Sequence, residues 1–370
     1  MNRFFRTFSR LFVGVVFVFS GFVKGVDPLG FAYKLDDYFI AFGMEWAMMF
    51  SLFLSVMLCA FEFTVGAMLL SNIKMKFTSW IVTLLMAFFT LLTLNDAIFE
   101  PVPDCGCFGD AIKLTNWETF YKNIVLDVFV VIIFLSRNNY KSSLKCFTQW
   151  SLAVIYFVVL MLFSFYNYRH LPLIDFRPYK VGNKIEMQSD ADAVYYLQYK
   201  NIETGESQEY ISPNYPWNDS VWLSKWEYVG QRVEKQGTEQ EFDFVVETLE
   251  GDDVTESILE WENVFVFVSY DLSKMSEKDM EKVGRMIHEF DQNNIEYLWI
   301  TASLPDEIEK IAAYYPYFNS VFLADGIMLK TMIRTNPGLV WLDKGTIRAK
   351  WHQNDYPTGK KWTEIQNQIR

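Results

Sequence analysis

The feature that most limits what this chain can become is a series of apolar runs in its first 170 residues. Five stretches, at roughly 8–26, 46–70, 78–98, 118–136 and 147–167, reach or approach the ~20 residues that a helix needs to cross a bilayer. The first, "MNRFFRTFSRLFVGVVFVFS", has the basic start and apolar core of a signal peptide. It lacks a small-x-small cleavage site and runs on into "GFVKGVDPLG", so a retained helix is expected.

Charge divides the chain in the same place. Residues 1–150 hold 12 Lys and Arg against 11 Asp and Glu, about +1, so of the net -12 the rest of the chain carries about -13. A neutral, apolar first part followed by an acidic second part reads as a membrane half and a soluble half. An acidic soluble half argues against nucleic acid, whose phosphates require a basic face. Basic residues cluster at Arg3, Arg6 and Arg10, at Lys74 and Lys76, and at Arg137, Lys141 and Lys145. Five alternating helices put all three clusters on one side, which the positive-inside rule makes the cytoplasm. Trp46, Trp80, Trp117 and Trp150 fall at helix ends, where amphipathic rings favour the interface. The loops at 27–45 and 99–117 and everything after residue 168 then lie outside. The first of these loops has near-helical apolar spacing and is expected to lie on the surface as an amphipathic helix.

Glu62 and Asp127 fall within the second and fourth runs. A carboxylate at that depth faces the bundle interior, pairs with a cation or is protonated. Lys24 and Lys122 are the nearby cations. The functional reading is a proton relay or a polar site for a quinone-like cofactor, and the plainer one is a hydrogen bond between helices.

Topology also sorts the four cysteines. Cys105 and Cys107, in "PVPDCGCFGD", lie on the oxidising face, where disulfides persist. Cys59 is deep in its helix and Cys146 is at the cytoplasmic end of another, so neither reaches that loop. A C-G-C disulfide closes a small, strained ring, which marks a labile bond, and Gly106 supplies the backbone freedom it needs. Zinc is the rival reading, with only Asp104 and Asp110 near enough to complete a ligand set. An architectural loop is the third.

The strings "LFVGVVFVFSGFVKGVDPLGFAYKLDDYF", "CAFEFTVGAMLL" and "DCGCFGD" resemble the DoxX-like/MauE-like family of bacterial membrane proteins over roughly residues 8–136. "SGFVKGVDP" is similar to the form found in Bacteroidetes-type bacteria with a fused extra-cytoplasmic domain. The resemblance implies a bacterial inner-membrane location and a role in maturing disulfide-rich proteins, with Cys105 and Cys107 carrying thiol-redox chemistry. The four-helix core also looks similar to that of vitamin K epoxide reductase-type thiol oxidases. Those use C-x-x-C and further loop cysteines, whereas this chain has C-x-C and no second outer pair.

Beyond the fifth run, "YRHLPLIDFRPYKVGNKIEM" reads as an extended linker, and residues 190–260 carry strand and turn signals, "AVYYLQYKN" and "EFDFVVETL" among them. The tryptophan-rich "PWNDSVWLSKWEYVGQ" reads as packing. From residue 263 the pattern becomes strand, helix, strand, helix, short strand, short helix, hairpin and closing helix. That order resembles the thioredoxin-like fold over about 240–370, with Asn336 and Pro337 at its cis-proline loop. The family's C-x-x-C is missing, since "SYDLSKMSEKD" follows the first strand and no cysteine comes after Cys146.

The expected architecture is an α-helical membrane bundle (1–146), a four-helix core joined by a fifth transmembrane helix (147–168). An extra-cytoplasmic linker and β-rich segment (169–239) and a soluble α/β thioredoxin-like domain (240–370) follow. The N-terminus is cytoplasmic and the last domain periplasmic. Three functions compete: a thiol-redox or maturation protein acting on an envelope protein partner, a non-enzymatic scaffold, and a small-molecule carrier using Glu62 and Asp127.

Overall fold

A computed structural model describes residues 3–185, 193–202, 204–211, 214, 216, 219–235, 244–318 and 320–369. Trp217 and the start of the "EFDFVVETL" run lie outside them.

Helices α1 (Arg3–Val26), α3 (Ser51–Leu70), α4 (Met75–Phe99), α5 (Asn116–Leu135) and α6 (Cys146–Arg169) form the bundle, with α2 (Pro28–Ala41) lying across one end. Among the described residues, four helical segments are long and apolar enough to cross a membrane: Arg3–Val26, Glu45–Leu70, Met75–Phe99 and Cys146–Arg169. Five were expected. The difference is α5, which is 20 residues long but carries Glu118, Lys122 and Asp127.

The bundle is held by close helix crossings around an apolar centre of Val13, Phe17, Val65, Leu69, Val82 and Leu126. Helices α1 and α3 meet through glycine. A Cβ on Gly21 would sit 2.6 Å from the Phe63 amide nitrogen, and one on Gly66 2.6 Å from that of Val18. Only hydrogen fits there, as in other small-residue helix crossings. The three basic clusters gather at one end of the bundle. Arg10 caps the last carbonyls of α3, at Leu69 and Leu70. The Tyr140 hydroxyl donates to the Arg6 carbonyl, and Asn72 donates to that of Lys141.

At the other end, Asp27 caps α2 by accepting from the Gly30 amide at 2.9 Å, with Pro28 in the first turn. Proline suits that position because its missing N–H has no partner in the first turn. The predicted surface helix is present, with Leu29, Phe31, Leu35, Tyr38 and Phe39 half-buried.

Beyond the bundle come two sheets. Strands β1 (Ala193–Asn201), β2 (Ser207–Ile211) and β3 (Trp226–Lys235) form an antiparallel set ordered β2-β1-β3, with α7 (Ser220–Lys225) before β3. Trp222 and Trp226 stack on one another beside Tyr199 and Tyr210, so these aromatic rings serve packing. The second sheet contains β4 (Val246–Glu247), β5 (Val264–Ser269), β6 (Tyr297–Thr301), β7 (Val321–Ala324), β8 (Gly338–Asp343) and β9 (Thr346–His352). Its order is β4-β7-β6-β5-β8-β9, with β5, β6 and β7 parallel and β8 and β9 antiparallel. Helices α8 (Thr255–Glu260), α9 (Glu277–Asn293), α10 (Pro305–Tyr314), α11 (Gly326–Met332) and α12 (Lys360–Ile369) accompany it. All six residues of β5 are buried, as expected for a strand covered on both faces. Helix α9 starts with a capping box between Ser276 and Asp279 and buries Met280, Val283, Ile287 and Phe290.

The segment after α6 is less free than a linker. Arg177, Tyr179 and Ile185 are buried, the last two in the core that includes β5. The Arg177 guanidinium donates to Asp175 and to the Thr331 carbonyl, and Lys350 donates to the same carboxylate. Residues 170–185 therefore strap the C-terminal α/β region to the end of the bundle.

Candidate functional site

The loop between α4 and α5 turns back on itself because two glycines take left-handed backbone, Gly106 at φ +63° and Gly109 at φ +52°. The Asp104 carboxylate accepts from the Gly106 amide at 2.9 Å and from Lys34 of α2 at 2.8 Å. The Ser20 hydroxyl of α1 donates to the Cys107 carbonyl at 2.7 Å. The loop is thus tied to α1 and α2, and its sulfurs are brought together. Cys105 Sγ and Cys107 Sγ are 3.0 Å apart, with Cys105 buried and Cys107 half-buried.

Their surroundings make the two thiols unequal. Cys107 is held below the ordinary thiol range, first by its hydrogen bond with Cys105 and then by the Lys122 and Lys24 ammonium groups, which outweigh burial. Cys105 is pushed well above that range by the same hydrogen bond and by burial. Tyr38 of α2 shares a hydrogen bond with Cys105, and its hydroxyl donates to Asp96 of α4 at 2.6 Å. Lys122 stands over the Phe108 ring, 4.4 Å from its centre. A thiolate beside cations is the nucleophilic form of cysteine, so the arrangement can attack a disulfide at Cys107.

Of the other residues singled out from sequence, Lys24 and Glu62 form a buried ion pair joining α1 to α3. Asp127 does not pair with Lys122. It accepts a hydrogen bond from Thr90 of α4 at 2.8 Å, since Lys122 is turned toward the thiol loop. Lys24 acts on both Glu62 and Cys107, which links two features that the sequence kept apart. Cys59 is buried in α3, and Cys146 is exposed, 2.9 Å from the Lys74 ammonium. The two rival zinc ligands have other partners, Asp104 on Lys34 and Asp110 near Arg334.

The Asn336–Pro337 peptide bond is cis. Asn336 accepts from the Ser269 hydroxyl at 2.8 Å and donates to the Asp271 carbonyl at 2.6 Å, which ties the cis-proline loop to the end of β5. Two residues earlier, Arg334 leaves the C-terminal α/β region and enters the end of the bundle. It is 6% exposed, donates to Asp27 at 2.7 Å, and reaches Asp110 of the thiol loop at 3.4 Å. The Tyr33 ring of α2 lies under both Arg334 and Lys330. Nothing in the sequence pointed to Arg334 or Tyr38, whose partners are 307 and 58 residues away.

Residues 2–136 match the model of a family described as methylamine utilisation protein MauE. No curated protein and no solved structure matches the chain. The match ends at Ser136, before α6, so the first part of this chain is a MauE-like membrane region that carries the two-cysteine loop.

Proposed function

We propose that the protein exchanges thiols and disulfides with a partner protein at the outer face of a bacterial inner membrane. In this reading α5 is a fifth span, the basic end of the bundle is cytoplasmic, and the thiol loop and the thioredoxin-like domain are periplasmic. The observation that carries it is the Cys105–Cys107 pair, two sulfurs 3.0 Å apart at the bundle end away from the basic clusters. Similarity to a MauE family favours a maturation role over transport.

The Cys107 thiolate attacks one sulfur of a partner disulfide, the other partner sulfur leaves with the bonding pair, and a mixed disulfide forms. Cys105 then gives up its proton and attacks Cys107 Sγ. The second partner thiol departs, and the pair is left oxidised by two electrons. Run backwards, the same steps make a partner disulfide and return the pair to dithiol. Ring strain in C-G-C and the stabilised Cys107 thiolate both favour the dithiol, so the backward direction, oxidation of the partner, is the downhill one. A further oxidised thiol carrier would then have to reset the pair, because the soluble domain has no cysteine.

Alkylation trapping in cells tests the reading. Cys105→Ser should accumulate a mixed disulfide on Cys107, and Cys107→Ser should not. Thiols that stay reduced in every condition, with serine at both positions harmless, would show the loop to be architectural.

A further inference from the structure

Between the bundle end and the soluble domain lies a cleft of about 680 Å³. Small-ligand pockets span roughly 300–1,000 Å³. One wall is α2 and the thiol loop, and the other is α11 with the strap 172–178. Asp104, Gly106, Gly109 and Lys113 line both this cleft and the small pocket on which Cys107 lies, so the cleft leads to the reactive thiol. Its apolar surface includes Phe31, Ile40, Ile174 and Ile327, the last 76% exposed. Most of its charges are already matched, Lys34 with Asp104, Arg334 with Asp27 and Asp110, and Arg177 with Asp175. Of the remaining lining charges, Lys113 and Lys330 are balanced in number by Asp37 and Asp325, so a lipid headgroup or phosphate would meet no excess of positive charge.

We infer that this cleft receives an extended, cysteine-bearing segment of the partner polypeptide, with α11 of the soluble domain as its second wall. The inference rests on the thiol-exchange reading and gives the cysteine-free domain its task. It completes the binding surface that presents the partner sulfur to Cys107, and the Arg334 contacts hold the two walls together. In the exchange, Cys107 Sγ bonds to the peptide cysteine, the bond to the peptide's previous sulfur partner breaks, and that sulfur leaves as a thiolate.

The full-length protein in detergent is tested with two probes, a cysteinyl hexapeptide and free cysteine, each joined by a mixed disulfide to thionitrobenzoate. Attack by Cys107 on the cysteine sulfur releases the coloured thiolate. The wild type should react at least tenfold faster with the peptide probe than with the cysteine probe. Thr331→Trp, which fills the cleft, and the milder Ile327→Ser should bring that ratio toward one. A ratio near one in the wild type, or a ratio unchanged in both variants, overturns the cleft while leaving thiol exchange standing. Protection of Cys107 by a short-chain quinone, with no peptide preference, would assign the cleft to a quinone instead. Failure of both probes to react would overturn the exchange reading itself.

Discussion

Replacing Arg334 with alanine tests whether the C-terminal α/β region is docked on the bundle as described. The guanidinium is nearly inaccessible, and its bond to Asp27 at 2.7 Å is charge-assisted. Removing one member of a buried pair costs about 3–5 kcal/mol because the other charge is left without its counter-ion. Here the low end applies, since Asp27 keeps the Gly30 amide and the nearby Arg177 charge. About 3 kcal/mol is roughly a hundredfold in the docking equilibrium at ~1.4 kcal/mol per decade. Arg334 holds Asp27 below the usual carboxylate range. The clasp is therefore complete above the ordinary carboxylate value near 4 and weakens as pH falls through the lower, docked value. Hydrogen exchange of the full-length protein at pH 7 should show the first turn of α2 and residues 330–336 exchanging roughly a hundredfold faster in Arg334→Ala. Arg334→Lys should recover part of the protection. In Asp27→Asn, the further loss caused by Arg334→Ala should be smaller. Wild-type exchange rates in Arg334→Ala would refute the clasp.

Cys107 should be alkylated by iodoacetamide at lower pH than a free thiol, and Lys122→Met should move that profile upward by about one unit; coincident profiles would remove the cation from the account. Glu62→Gln leaves the Lys24 charge buried and should cost about 3–5 kcal/mol in thermal unfolding in detergent, and the double variant with Lys24→Met should recover most of it. Gly21→Ala forces α1 and α3 apart and should cost about 1–3 kcal/mol, where a control such as Gly230→Ala, whose Cβ would meet nothing within 4 Å, makes no such clash. Burial lowers the His352 imidazole to about 4, so it is neutral in the folded C-terminal region. An unfolded imidazole takes up its proton near 6.5, so folding loses stability as pH falls from about 6.5 toward 4. His352→Gln should flatten that slope in a pH series of unfolding curves.

The order of elements was readable because it depends on local spacing. Apolar runs of membrane length gave the helices, and the start of α9 followed from Ser276 and its periodic face. The hairpin β8–β9 followed from alternating residues around Lys344–Gly345. The count of spans was harder to read, because α5 mixes an apolar face with three charged residues. The fate of the buried charges was legible only in part, since Lys24 and Lys122 were the candidate cations and only Lys24 took a carboxylate. A buried carboxylate needs a partner, but which one is settled by the angle at which its helix faces its neighbours. That angle gave Glu62 to Lys24 and left Asp127 to Thr90.

By itself the sequence determined that Cys105 and Cys107 stand two residues apart and that no cysteine follows Cys146. Tertiary structure decided what surrounds them. It placed Lys24 and Lys122 beside Cys107, set Tyr38 on Cys105, and sent Arg334 from 224 residues beyond Asp110 down to the thiol loop. Electrostatic and hydrogen-bonding energies depend on distance in space, and these residues are far apart along the chain. Only packing of α1, α2, α5 and the C-terminal α/β region around one loop brings them within reach.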